Sequence, residues 1–96
     1  VTDYRLTRRA EAELLDIFLY GIEQFGLSQA QAYADSMDLC FRLLCQNPRM
    51  GRAAVALGEG VRRHEHGSHV VLYELDQDGI LVLSILHKRR IVRLDL

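Results

Sequence analysis

One proline divides this chain. Pro48 is the only proline in 96 residues, and the ring of a proline pushes the residue before it out of the helical region. On its N-terminal side, apolar residues recur at steps of three and four. On its C-terminal side they alternate or run together. The first spacing belongs to helices with one packed face, the second to strands. A chain in this order must lay a helical half against a sheet half. Its length suits one domain, residues 1–96, with one modest core.

Residues 2–6 fit a short opening strand, with Tyr4 and Leu6 alternating with charged neighbours. Thr7 can then cap a helix running to Phe25. Ala10, Leu14, Ile17, Phe18, Gly21, Ile22 and Phe25 make its apolar face, and Glu11, Glu13, Asp16 and Glu23 its wet side. Gly26 stops that helix. Ser28, followed three residues later by Gln31, reads as a capping box for the next. The second helix carries Ala30, Tyr33, Met37, Cys40, Phe41 and Leu44 on one face and ends near Gln46. Two helices joined by about two residues fold back as an antiparallel hairpin.

Residues 47–60 form one long irregular connection, and three strands follow at 61–66, 69–75 and 80–86. Gly67-Ser68 suits a two-residue hairpin turn, and Asp78-Gly79 sits in a second tight connection. The last strand is apolar on both faces and belongs inside its sheet. The first of the three is polar and reads as an edge. The expected fold is α+β, in the order β-α-α-β-β-β. A small antiparallel sheet with an N-terminal strand carries a two-helix hairpin on one face and is partly open on the other.

Composition removes several function classes. Apolar residues make up 49% and charged residues 26% of the chain, as in an ordinary soluble domain. No apolar run approaches the roughly 20 residues that span a bilayer. The charged opening "VTDYRLTRR" does not read as a secretory leader. A cytoplasmic location without membrane contact is expected. Cys40 and Cys45, five apart on a helix, point to different sides and cannot bridge; both read as small buried side chains. Net charge is −1, but residues 1–48 hold four arginines against seven acids, while residues 49–96 hold eight Lys/Arg against six acids. That asymmetry permits a local basic surface and falls short of a dedicated nucleic-acid-coating domain.

Several stretches in this order resemble the RelE/ParE superfamily of bacterial toxins, and more closely its ParE branch. They are "YRLTRRAEAELLDI", "YGIEQFG", "NPRMGR", "VRRHEHGSHVVLYEL" and "ILVLSILHKRR". The resemblance spans essentially the whole chain, and the "NPRMGR" break is its most specific part. It implies two N-terminal helices packed on a small antiparallel sheet. It also implies a cognate ParD-like antitoxin that binds the toxin, neutralises it and represses the shared operon, so that operator DNA is touched only indirectly. RelE-like members cut messenger RNA in the ribosome, whereas ParE-like members poison DNA gyrase. No cofactor is implied.

RNA cleavage needs a base, an acid and cations converging on one phosphate. Arg62, Arg63 and His87 are the residues that could serve. Lys88, however, stands where the nuclease members carry a tyrosine, and no tyrosine follows Tyr73. The expected action is therefore binding to gyrase, with ribosome-dependent messenger cleavage and a non-toxic co-repressor as the alternatives. Arg49, Arg52, Arg62, Arg63, His87, Lys88, Arg89, Arg90 and Arg93 are the candidate target-binding residues. Leu15, Leu19, Tyr20 and Ile22 exceed what one buried face needs. With Tyr33 they read as an apolar patch for an amphipathic antitoxin segment. His64, His66 and His69 cluster near one turn with no carboxylate placed as a partner, and read as solvated residues, not as a metal site.

Overall fold

A computed structural model describes residues 3–93, without the side chains of Val92 and Arg93. Thr2, the start of the expected opening strand, lies outside the described residues. The chain begins with β1 (Asp3–Leu6), then two helices, α1 (Arg8–Phe25) and α2 (Leu27–Gln46). The sheet half follows: β2 (Arg52–Ala53), a 3-10 turn at Val55–Leu57, β3 (Arg62–His66), β4 (His69–Asp76) and β5 (Gly79–His87). A short helix, α3 (Lys88–Arg93), closes it. The five strands form one sheet in the order β1-β5-β4-β3-β2. Only β1 with β5 is parallel, from Asp3↔Gly79 to Leu6↔Val82; the other pairs are antiparallel.

Thr7 caps α1 as expected. Its Oγ1 accepts from the Ala10 N–H at 3.1 Å and donates to the Leu83 carbonyl at 2.9 Å. One residue, Gly26, separates the helices. Its φ of 92° and ψ of 163° lie in a region that side chains other than glycine avoid. The hairpin is thus tighter than the two-residue link expected, and the capping box is absent. Gly26 occupies the cap of α2 with no side-chain hydrogen bond. Ser28 is already helical, and the Gln31 amide donates to Asp35 Oδ1 at 3.0 Å.

The main core lies between hairpin and sheet. It joins Ala10 of α1, Met37, Cys40, Phe41, Leu44 and Cys45 of α2, Val71 and Tyr73 of β4, and Ile80, Val82 and Ile85 of β5. The two cysteines are buried and free. A bulge in β5 opposite Leu72/Tyr73 inserts Leu83, which resets the alternation and lets both Val82 and Ile85 face the helices. Beyond Val82, β5 has no strand on its outer side, and α1 takes that place. Glu13 Oε1 accepts from the Ile85 N–H at 3.1 Å and from the Ser84 hydroxyl at 2.7 Å. Glu13 therefore does not belong to the wet face of α1.

The opposite sheet face is less open than expected. Val70 and Leu72 are covered there by Ile91 of α3, with Leu57, Val61 and Leu86 packed around them. β3 is not an edge, because the two-residue β2 pairs outside it, Arg52↔Arg63 and Ala53↔Arg62. So short a strand carries no readable alternation.

The connection at Pro48 is tied to the sheet from both sides. The fully buried Tyr73 donates its hydroxyl to the Pro48 carbonyl at 2.7 Å and accepts from the Gly51 N–H at 2.9 Å. From β3, Arg62 donates to the Gly51 carbonyl at 2.8 Å and the Arg49 carbonyl at 3.1 Å. A Cβ on Gly51 would lie 2.8 Å from the Tyr73 ring and 2.9 Å from the Arg63 carbonyl, closer than real contacts allow. The glycine of "NPRMGR" is there for that approach.

Candidate functional site

α2 crosses the sheet obliquely. Its middle contacts β1, where Tyr4 packs edge-on against Phe41 and donates its hydroxyl to Asp38. Its N-terminal half reaches the turn between β3 and β4. Two hollows open along this crossing. One, of about 400 Å³, lies between the helices and is lined by Leu14, Leu15, Phe18 and Tyr33 among others. The other, of about 840 Å³, lies between the hairpin tip and the end of the sheet. Its walls include Tyr20 and Phe25, Tyr33 and Ser36 of α2, His69 and His87, and Arg89 of α3.

Of the five expected antitoxin-binding residues, Leu15, Tyr20 and Tyr33 line these hollows. Leu19 points outward with 53% of its surface exposed, Ile22 is half-buried, and neither lines a hollow. Phe25, Ser36 and His69 were not among the expected residues. Phe25 is 62% exposed at the hairpin tip.

His66 and His69 are not solvated turn residues. Both are half-buried under α2. Tyr33 Oη lies 3.2 Å from the His66 carbonyl and 2.7 Å from His69 Nδ1. A hydroxyl has one proton and a carbonyl only accepts. Both bonds are made together only when Tyr33 donates to His66 and His69 Nδ1–H donates to Tyr33. In the same way Ser36 donates to the Tyr33 carbonyl at 2.7 Å, and His66 Nε2, 3.0 Å away, donates to Ser36. The network fixes one tautomer for each ring.

Burial lowers the His69 pKa to about 4, helped by the nearby His87 and His66. Burial also lowers that of His66, and His64 adds to the shift. Burial raises the Tyr33 phenol. Around neutral pH the His69 imidazole in the wall of the hollow is therefore uncharged. His87 is exposed. It stacks edge-on to His69 with ring centres 5.4 Å apart, and its Nδ1 accepts from the Arg89 N–H at 3.1 Å. Lys88 N–H donates to the Ser68 carbonyl at 2.9 Å, which pins the start of α3 to the β3–β4 turn.

The cations divide between the two faces of the sheet. Arg62 stands opposite Tyr73 on the helix side, bonded to the loop carbonyls. Its neighbour Arg63 stands opposite Leu72 on the other side. His87 lies at the far end of the sheet from Arg62, roughly 13 Å along the four residues from Arg62 to His66 plus the width of the intervening strands. The three residues considered for RNA cleavage do not converge. On the face away from the helices, Arg52, Arg63 and Lys88 instead gather around Glu65, at 3.9, 3.8 and 3.5 Å. Arg49, Arg89 and Arg90 are exposed. Arg93 ends α3, and its side chain lies outside the described residues. Among the described residues no group of three or more His, Cys, Asp or Glu is placed to hold a metal ion. No helix among them is long and apolar enough to cross a membrane.

Residues 4–92 match the sequence profile of the ParE toxin of the type II toxin–antitoxin system parDE. The chain belongs to the ParE toxin family. A curated relative, Toxin ParE1 of Caulobacter vibrioides, is 36% identical over 85 residues, covering 88% of each chain. Toxin ParE1 of Mycobacterium tuberculosis is 31% identical over 87 residues, covering 90% of this chain and 89% of that protein. Among solved structures, a chain of the chromosomal ParDE system from P. aeruginosa superposes with a TM-score of 0.74 at 21% identity. The match covers 90% of this chain and 95% of the other. At that identity the structural match speaks for the fold alone. ParE membership agrees with the β-α-α-β-β-β order and with the hairpin laid over a mostly antiparallel sheet.

Proposed function

We propose that this ParE family member is a cytoplasmic toxin that inhibits DNA gyrase by binding it. An antitoxin would neutralise it and, with it, repress their operon. Family membership supports the toxin role. The observation that favours binding over catalysis is the divergence of Arg62 and Arg63. One is spent on loop carbonyls on the helix side and the other faces the opposite side, so the cations of a phosphate-cleaving site are not assembled. The hollows fit the antitoxin role. They are preformed, lined by Leu15, Tyr20, Phe25 and Tyr33, and end at His87 and Arg89, where the target-binding candidates begin. An amphipathic segment lying there would meet apolar side chains first and a cation at its end. It would also cover Arg89 at the base of α3, one of the target-binding candidates.

The purified chain is added to gyrase supercoiling and DNA-cleavage assays and, separately, to a translating extract. Inhibited supercoiling with intact messenger is expected. Tyr20→Glu should keep that inhibition and lose rescue by antitoxin. Unaffected supercoiling at large toxin excess, together with codon-positioned messenger cuts, would reject the proposal.

A further inference from the structure

The sheet face away from the helices holds a charge arrangement that the antitoxin groove leaves unused. Arg52 of β2 and Lys88 of α3 are 70% and 45% exposed, and both turn toward Glu65, itself 53% exposed. Arg63, largely buried, turns toward it from the same strand. Glu65 Oε1 faces the two arginines at 3.9 and 3.8 Å, and Oε2 faces the lysine at 3.5 Å. A charged hydrogen bond closes to about 2.7–2.9 Å. None of these contacts does, so the carboxylate sits among the cations without being locked to any.

We propose that this cluster is a binding site for the phosphodiester backbone of DNA, with Glu65 as an internal counter-ion that a phosphate displaces. A phosphodiester, like a carboxylate, presents two anionic oxygens on one atom. It can therefore take over both contacts, one oxygen toward the arginines and one toward Lys88. Guanidinium forks suit phosphate oxygens. Once Glu65 swings away, Arg52 and Lys88 are left as exposed cations, and Arg90 extends the charge along α3.

An acidic peptide is the other chemistry such a cluster could attract. Peptides, however, gain specificity from side-chain pockets, and the apolar part of this face, Val70 and Leu72, is already covered by Ile91. What remains is charge, which is what a nucleic-acid backbone reads. The choice of DNA rests on the gyrase proposal, since gyrase acts while holding a duplex. Toxin and duplex would then be bound side by side.

The test uses the full chain and a labelled short duplex of arbitrary sequence, followed by anisotropy across a salt series. Glu65→Gln should bind several-fold tighter, a gain that misfolding cannot produce. The double variant Arg52→Ala/Lys88→Ala should bind at least tenfold more weakly at low salt, with the log–log salt slope reduced by roughly two. Thermal melts of each variant check that the fold is kept. The site is refuted if Glu65→Gln binds no tighter. It is equally refuted if only a charge-matched acidic peptide responds to that change. Supercoiling separates the two proposals. Inhibition that persists without any duplex response leaves the gyrase role standing and removes the site. A duplex response with no inhibition by the wild-type chain does the reverse.

Discussion

Tyr73 shows how much one hydroxyl can organise. It is fully buried in the core, yet its Oη bonds both the Pro48 carbonyl and the Gly51 N–H. The break that ends the helical half is thereby fastened to the centre of the sheet. Removing the hydroxyl leaves two backbone groups without their partner, which costs about 1–3 kcal/mol. Tyr73→Phe should lower the unfolding free energy by that amount, read as a lower urea midpoint with an unchanged m-value. A midpoint within error of wild type would show that water takes over both bonds. In the sequence, "NPRMGR" was recognisable as a motif, but its reason was not. Nothing local to residues 47–52 says that a tyrosine 22 residues after Gly51 occupies the space a Cβ would need. Arg62 is a parallel case. Its neighbour Arg63 shares its residue type, and only the pleat, with cross-strand partners Tyr73 and Leu72, places the two on opposite faces.

At the level of elements, periodicity located both helices and the three long strands within a residue or two, because each buries one face along its length. Caps were legible only in part. Thr7 and Ser28 look alike in sequence, each a hydroxyl near a helix start. Thr7 sits where the chain turns off β1, with Leu83 within reach, whereas Gly26 has already turned the chain before Ser28. Thr7→Ala should therefore destabilise by about 1–2 kcal/mol, and Ser28→Ala should stay within about 0.5 kcal/mol of wild type. Equal losses in paired urea melts would restore the capping box. β2 left no trace in the pattern because two residues have no period. Glu13 misled for a different reason. Its neighbours on the helix predict water, but β5 outruns β1 and leaves the Ile85 N–H needing an acceptor.

Across the whole molecule, the histidine network ties the hairpin to the sheet and to α3. Tyr33 and Ser36 reach it from α2, His66 and His64 from β3, His87 from β5 and Arg89 from α3, with Asp16 on the far wall of the hollow. His69 titrates near 4 in the fold and near 6.5 in the unfolded chain. Between those values the unfolded chain holds more protons, so stability rises with pH. The contribution is complete above about 6.5 and is lost as pH falls toward 4, and His66 shifts in the same direction. His69→Gln should flatten the dependence of the urea midpoint on pH within this window and leave its slope above pH 7 unchanged. An unaltered acid limb would remove His69 from that role. The sequence offered these histidines as a turn cluster. Their burial depends on Tyr33 and Ser36 of α2 lying over the β3–β4 turn, which no spacing of residues encodes.

The place of β5 has a consequence in time. β1 precedes the helical hairpin, and its sheet partner, β5, follows all the other strands among the described residues. The hairpin packs on β5 as well, through Ala10, Met37 and Phe41 against Ile80, Val82 and Ile85. During synthesis the helical half therefore emerges without the surface it packs on. It waits at ordinary elongation rates of roughly 5–20 residues per second until that strand is made. A nascent chain cannot assemble the face that carries its exposed cations before then. The topology thus holds back assembly of the ParE fold until β5 has been made.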